Sequence, residues 1–117
     1  MSLSSGAISE LRVASILIEY GWEVAFPFTH GRAWDFIIHK DGVSRTVQVK
    51  GAAFAENSYT IIKTIWSKYD NIDYIILHDH IHQNFYIFVK GELSGRRSVT
   101  LNPNKLTQQL NNWKRIQ

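Results

Sequence analysis

Residues 33–51 read AWDFIIHKDGVSRTVQVKG. Trp34 to His39 and Val43 to Lys50 are rich in branched and aromatic residues, and Asp41-Gly42 between them is a two-residue type I′ turn signal. The stretch therefore predicts a β-hairpin. Such a turn sets Lys40 against Val43, and counting back along both strands brings Asp35 opposite Gln48. Strand side chains alternate, so Lys50 shares the side of Gln48 while Val47 and Val49 take the other. One face then carries a carboxylate, an amide and an ammonium, and the other is apolar. Directly opposed Cβ atoms lie about 5 Å apart, which lets two oxygen ligands share one small cation.

Upstream, Ser4 or Ser5 caps a predicted helix from about Gly6 to Tyr20, ended by Gly21. Ile8, Leu11, Ala14, Leu17 and Ile18 recur at helical spacing as its buried stripe, with Glu10 beside that stripe. Trp22 to Phe26 reads as a short strand broken by Pro27, and Phe28 to Arg32 as a loop delivering His30 and Arg32 next to Asp35. Downstream, Ala52 to Asn57 reads as a loop and Ser58 to Thr64 as a strand. Trp66 to Asn71 reads as a turn or short helix. Asp73 to His78 and Asn84 to Lys90 are strands joined by a polar link, in which His78, His80 and His82 read as a solvated turn. Ser98 to Leu101 is a further short strand. Asn102-Pro103 opens a predicted last helix through about Trp113. This order predicts a mixed α/β (α+β) domain over residues 1–117, a single central mixed β-sheet flanked by helices.

Glu10 on a helix, then Asp35, then Gln48-Val49-Lys50 resembles the PD-(D/E)XK nuclease superfamily. Within it, the likeness is to the small branch of group I intron homing endonucleases, whose motif reads D…QxK. The resemblance runs over most of the chain and implies a restriction endonuclease-like core. Trp34 stands where the motif name puts a proline that is not a ligand. Gln48 replaces an acid and so removes a negative charge from the site. The resemblance implies a metal-dependent DNA endonuclease that hydrolyses phosphodiester bonds, with Asp35, Gln48 and Glu10 around Mg²⁺, or Mn²⁺ as a substitute. Lys50 would hold the attacking water and offset charge at phosphorus. His30, Arg32, Lys63, Lys68, Arg96 and Arg97 are candidate DNA contacts.

Composition sets the outer bounds. At 117 residues the chain fits one domain, and 44% hydrophobic residues suffice for one core. No apolar run is long enough to cross a bilayer, and MSLSSGAISE lacks the basic start and apolar middle of a signal peptide, so an intracellular protein associated with nucleoid or host DNA is expected. The chain has no cysteine, which excludes disulfides, thiolate zinc sites and a thiol nucleophile. A net charge of +3 and a pI near 9.3 suit a polyanionic partner. Cutting both strands of a duplex takes two sites, which implies a homodimer or a larger symmetric oligomer. Two alternatives share the same fold: a Holliday-junction resolvase-type nuclease, and a non-catalytic DNA-binding module, which Gln48 favours and Asp35 with Lys50 disfavours.

Overall fold

The computed structural model describes residues 5–29, 31–52, 55–56 and 59–117. The expected cap Ser4 and the loop residue His30 lie outside them. Among the described residues one α-helix, α1 (Ser5–Glu19), is followed by eight strands: β1 (Glu23–Ala25), β2 (Phe36–Lys40), β3 (Val43–Ala52), β4 (Ala55–Glu56), β5 (Tyr59–Lys63), β6 (Tyr74–Asp79), β7 (Asn84–Val89) and β8 (Ser98–Leu101). Short 3₁₀ turns occupy Trp66–Tyr69 and Trp113–Arg115. The central sheet has five strands in the order β1-β2-β3-β6-β7. It is mixed, because β3 and β6 run parallel while the other neighbours run antiparallel.

The β2–β3 hairpin has the register its turn predicts. Lys40 pairs with Val43 and Phe36 with Val47, and Asp41 and Gly42 both take positive φ as a type I′ turn requires. The sheet buries both faces. On one, Val47, Val49, Ile76 and Ile87 pack against Val13, Ala14 and Leu17 of α1. On the other, Ile75, Leu77, Tyr86 and Phe88 pack under Trp66, Tyr69 and Leu101. Trp66 and Tyr69 thus belong to the core. The crossover from β3 to β6 carries this second layer, and within it β4, β5 and β8 form a separate three-stranded sheet. Among the described residues the expected central mixed sheet is thus joined by a smaller second sheet, and Ala55–Glu56 is a strand inside the expected loop.

Helix α1 is rotated from its predicted stripe. Ser9, Val13, Ala14 and Leu17 are buried, whereas Leu11 and Ile18 are 50% and 57% exposed. The helix ends as predicted at Gly21, whose φ of 92° lets Trp22 N–H reach the Leu17 carbonyl at 3.0 Å and Gly21 N–H the Ile18 carbonyl at 2.9 Å.

The predicted last α-helix does not form. Asn102 does cap a turn, its Oδ1 accepting from Asn104 N–H at 3.0 Å. The chain is then captured by the open edge of β7. Ile87 N–H donates to the Gln109 carbonyl at 3.0 Å, and Asn111 N–H to the Phe85 carbonyl at 2.6 Å. An edge strand presents unpaired backbone groups, and pairing them outweighs the helical bonds that these few residues would have made. Glu92 locks the tail in place. Its carboxylate accepts from both terminal nitrogens of Arg115 at 2.9 Å and from Val89 N–H at 3.1 Å.

Burial alone would raise the Glu92 carboxyl, but these donors outweigh it and hold it below the ordinary 4.5. A carboxylate held low stabilises the fold above the unfolded-state value and loses that contribution as pH falls through the folded one. Glu92→Gln is therefore expected to lower the melting temperature at neutral pH, with the gap to wild type closing as the pH drops below about 4.5. Thermal denaturation across pH measures this; a gap that is constant with pH would contradict it.

Candidate active site

The end of the hairpin positions Asp35 twice over. Its N–H donates at 2.8 Å to the carbonyl of Val47, the residue that Phe36 already faces, so the regular pairing ends at Phe36–Val47 and Asp35 bulges at the strand end instead of continuing the predicted register to Gln48. Its Oδ2 then accepts from Val49 N–H at 2.8 Å, the carboxylate standing in for a backbone carbonyl where the partner strand has ended. One carboxylate oxygen is thus fixed by β3.

Gln48 is 7% exposed and its Nε2 donates to the Val49 carbonyl at 3.1 Å. The amide carbonyl has no partner among the described residues. Asp35 and Gln48 line one cavity of about 350 Å³, together with Arg32, Lys68 and Tyr69. Lys50, two residues on, holds its Nζ 5.2 Å from the centre of the Tyr69 ring and close enough to Asp35 to pull its carboxyl down. Among the described residues no arginine forms an ion pair with Asp35. Arg32 lies over the Trp34 ring at 5.1 Å, and Arg45 donates to the Gln117 carbonyl at 3.1 Å.

Glu10 arrives from the other face of the sheet. The rotation of α1 that buries Ser9 and Val13 turns the next residue after Ser9 over the end of β2, where Glu10 and Asp35 line an adjoining cavity of about 370 Å³. Burial, then the Asp35 charge and a hydrogen bond to it, push the Glu10 carboxyl up to about 7. Burial also raises Asp35, against the pull of Val49 N–H, Lys50 and Glu10. Glu10 is therefore the proton carrier of the pair and donates to the Asp35 carboxylate. Two carboxyls brought this close are stabilised by a proton or by a cation between them. With the Gln48 carbonyl in the neighbouring cavity, the donors are all oxygen, the set a hard divalent cation takes. Among the described residues no group of three or more His, Cys, Asp or Glu side chains converges on one point. The set is two carboxylates and an amide, and it fits a cation that draws its remaining ligands from water and phosphate.

Of the candidate DNA contacts, Arg32 and Lys68 border the Asp35–Gln48 cavity. Lys63, Arg96 and Arg97 do not. They converge, again with Lys68, on a separate cleft.

The histidines correct the sequence reading. His78 belongs to β6 and is wholly buried, stacked on Phe85 with ring centres 4.3 Å apart. Ser9 Oγ lies 2.8 Å from both His78 Nδ1 and His80 Nε2. The hydroxyl has one hydrogen, so it donates to one ring nitrogen and accepts from the N–H of the other. Burial, with His80 and Arg12 nearby, pushes the His78 imidazole down to about 4 and keeps it neutral. This network ties α1 to the end of β6 directly beside β3. A Cβ on Gly51 would lie 2.6 Å from Ser9 Oγ, so glycine alone fits there. His82 is the exposed one and bonds Asp79, which closes the β6–β7 turn. The missed signal was alternation: Tyr74, Ile76 and His78 share the face turned to α1.

A family model described as PD-(D/E)XK endonuclease matches residues 2–115. The structure of a bacterial homing endonuclease, I-Ssp6803I, superposes with a TM-score of 0.84, covering 99% of this chain and 92% of that one. The two are 17% identical, so this likeness is one of fold. No curated protein matches the chain.

Proposed function

Because the chain belongs to the PD-(D/E)XK endonuclease family, and is thereby a nuclease, we propose that it is a divalent-metal-dependent DNA endonuclease of the homing type. The observation that carries this reading is the convergence of Asp35, Glu10 and Lys50 at the mouth of the β2–β3 hairpin, with Gln48 beside them. Asp35, Glu10 and the Gln48 carbonyl would hold Mg²⁺, or Mn²⁺ in its place. When bound, that cation supplies positive charge against the phosphate oxygens and makes water more acidic.

The chain's own residues do the rest. Asp35, pinned by Val49 N–H, keeps its carboxylate at a fixed point of the pocket. Lys50 sets its ammonium against the phosphate, orients the attacking water and offsets the negative charge that builds up as the P–O bond is broken. Arg32 and Lys68, at the rim of the same cavity, neutralise neighbouring phosphates. One chain offers one such site. Cleavage of both strands then calls for two copies related by symmetry, a homodimer or a larger closed assembly.

The test is incubation with supercoiled plasmid, a four-way junction and single-stranded DNA, each with Mg²⁺, Mn²⁺ or EDTA. Nicking or linearisation that needs the metal supports the reading, and preference for the junction would move it to a resolvase. Binding to DNA without cleavage of any substrate would favour the non-catalytic module, as the loss of an acid at Gln48 does. The amide gives a finer measurement. Gln48→Glu is expected to keep cleavage or shift its preference between Mg²⁺ and Mn²⁺, and Gln48→Leu to lose it by about tenfold or more. Equal rates in wild type and the leucine variant would remove Gln48 from the metal site.

A further inference from the structure

The 3₁₀ turn Trp66–Tyr69 has the Asp35–Gln48 cavity on one side and a larger cleft, about 690 Å³, on the other. Lys63 at the end of β5, Lys68 in the turn, and Arg96 with Arg97 ahead of β8 line that cleft. All four are exposed. Among the described residues the ion pairs are His82–Asp79 and Arg115–Glu92, so none of the four has a carboxylate partner. Four cations from three separate elements, with no ion pair among the described residues, attract a polyanion to one cleft.

The apolar lining of the cleft narrows the class of polyanion. Trp66 backs the cleft wall and is 1% exposed, so its indole N–H is out of a ligand's reach. Ile65, also lining the cleft, is 72% exposed. A free phosphate gives a bare isoleucine among cations nothing to pack on. A nucleic-acid backbone does, since its sugars and base edges are apolar surface between phosphates. Lys68 lines both cavities, so the cleft continues the surface of the proposed cleavage site.

We propose that this cleft is a second DNA-binding site that grips the sugar–phosphate backbone of the duplex flanking the cut, with Lys68 as the joint between the two and Ile65 packed on a sugar or base edge. The inference rests on the endonuclease reading above and adds to it where the substrate runs after leaving the cavity. The cleft supplies affinity and register, and no part of the bond-breaking.

Each phosphate contact contributes about one unit to the slope of log affinity against log salt. Anisotropy of a fluorescently labelled duplex, measured with EDTA across a range of salt, reads that slope without cleavage. Arg96→Ala with Arg97→Ala is expected to flatten it by about two and to weaken binding about tenfold at low salt. Arg96→Lys with Arg97→Lys restores the slope, and Ile65→Ala weakens binding while leaving the slope at its wild-type value. A double alanine variant with wild-type slope and affinity overturns the cleft and leaves the endonuclease reading standing. So does an unchanged slope accompanied by a smaller assembly in sedimentation, which would make the cleft a contact between copies of this chain. A wild-type chain that binds no duplex at all overturns the endonuclease reading itself.

Discussion

Lys50→Ala is expected to leave a folded protein that still binds duplex DNA and cleaves it about two to four orders of magnitude more slowly. Lys50 is half-buried on β3, with its strand position fixed by the parallel pairing to Leu77 of β6. The fold needs little from its ammonium. Nζ rests near the Tyr69 ring at 5.2 Å, and among the described residues it has no ion pair. A charge held over a ring face and not spent in an ion pair among the described residues is available for the phosphate, where it stabilises the transition state more than the ground state. Lys50→Met keeps the apolar stem over Tyr69 and removes only the charge, so it is expected to be as slow as the alanine variant. Lys50→Arg is expected to recover little, since a planar guanidinium does not place its charge where a compact ammonium does. Single-turnover cleavage alongside anisotropy separates rate from binding. A methionine variant within about threefold of wild type would exclude Lys50 from the chemistry.

Asp35 carries two roles that two substitutions take apart. Asp35→Asn retains an oxygen to accept Val49 N–H but loses the charge. Cleavage is expected to fall by about three orders of magnitude with the melting temperature little changed. Asp35→Ala removes the acceptor as well, orphaning a backbone N–H beside Gln48. It is expected to lose the same activity and a further ~1–3 kcal/mol of stability. Cleavage assays with thermal denaturation, and calorimetric titration of Mg²⁺ into each variant, check both halves. Wild-type metal affinity and wild-type cleavage in the asparagine variant would refute the assignment of Asp35. Equal stability of the two variants would instead show that Val49 N–H finds another acceptor.

What could be read ahead of the structure follows the range of the forces involved. The Asp41-Gly42 turn is a local preference of two residues for positive φ. Once it is made, strand periodicity carries the register outward pair by pair to Phe36–Val47, which is why Asp35, Gln48 and Lys50 could be grouped from the sequence. Gly21 as a helix stop is local in the same way. The rotation of α1 is not. Apolar spacing favours a stripe through Leu11 and Ile18. The stripe that is buried instead includes Ser9, because its hydroxyl is bonded by two histidines some seventy positions later.

The same limit explains the lost last helix and the misread histidines. Residues 103–112 have capping chemistry for a helix, but the open edge of β7 offers them backbone partners that no local pattern reveals. His78 lies in a polar stretch of sequence, and burial against Phe85 and Ser9 makes it part of the core.

By itself, then, the sequence determined the hairpin, its register and the grouping of an acid, an amide and a lysine at its end, because turn geometry and a two-residue repeat suffice for those. Only the tertiary structure decided that Glu10 meets Asp35 and that Lys63, Lys68, Arg96 and Arg97 share one cleft. Both depend on packing the β3–β6 crossover and α1 onto opposite faces of one sheet, and that packing is set by contacts between residues far apart in the chain.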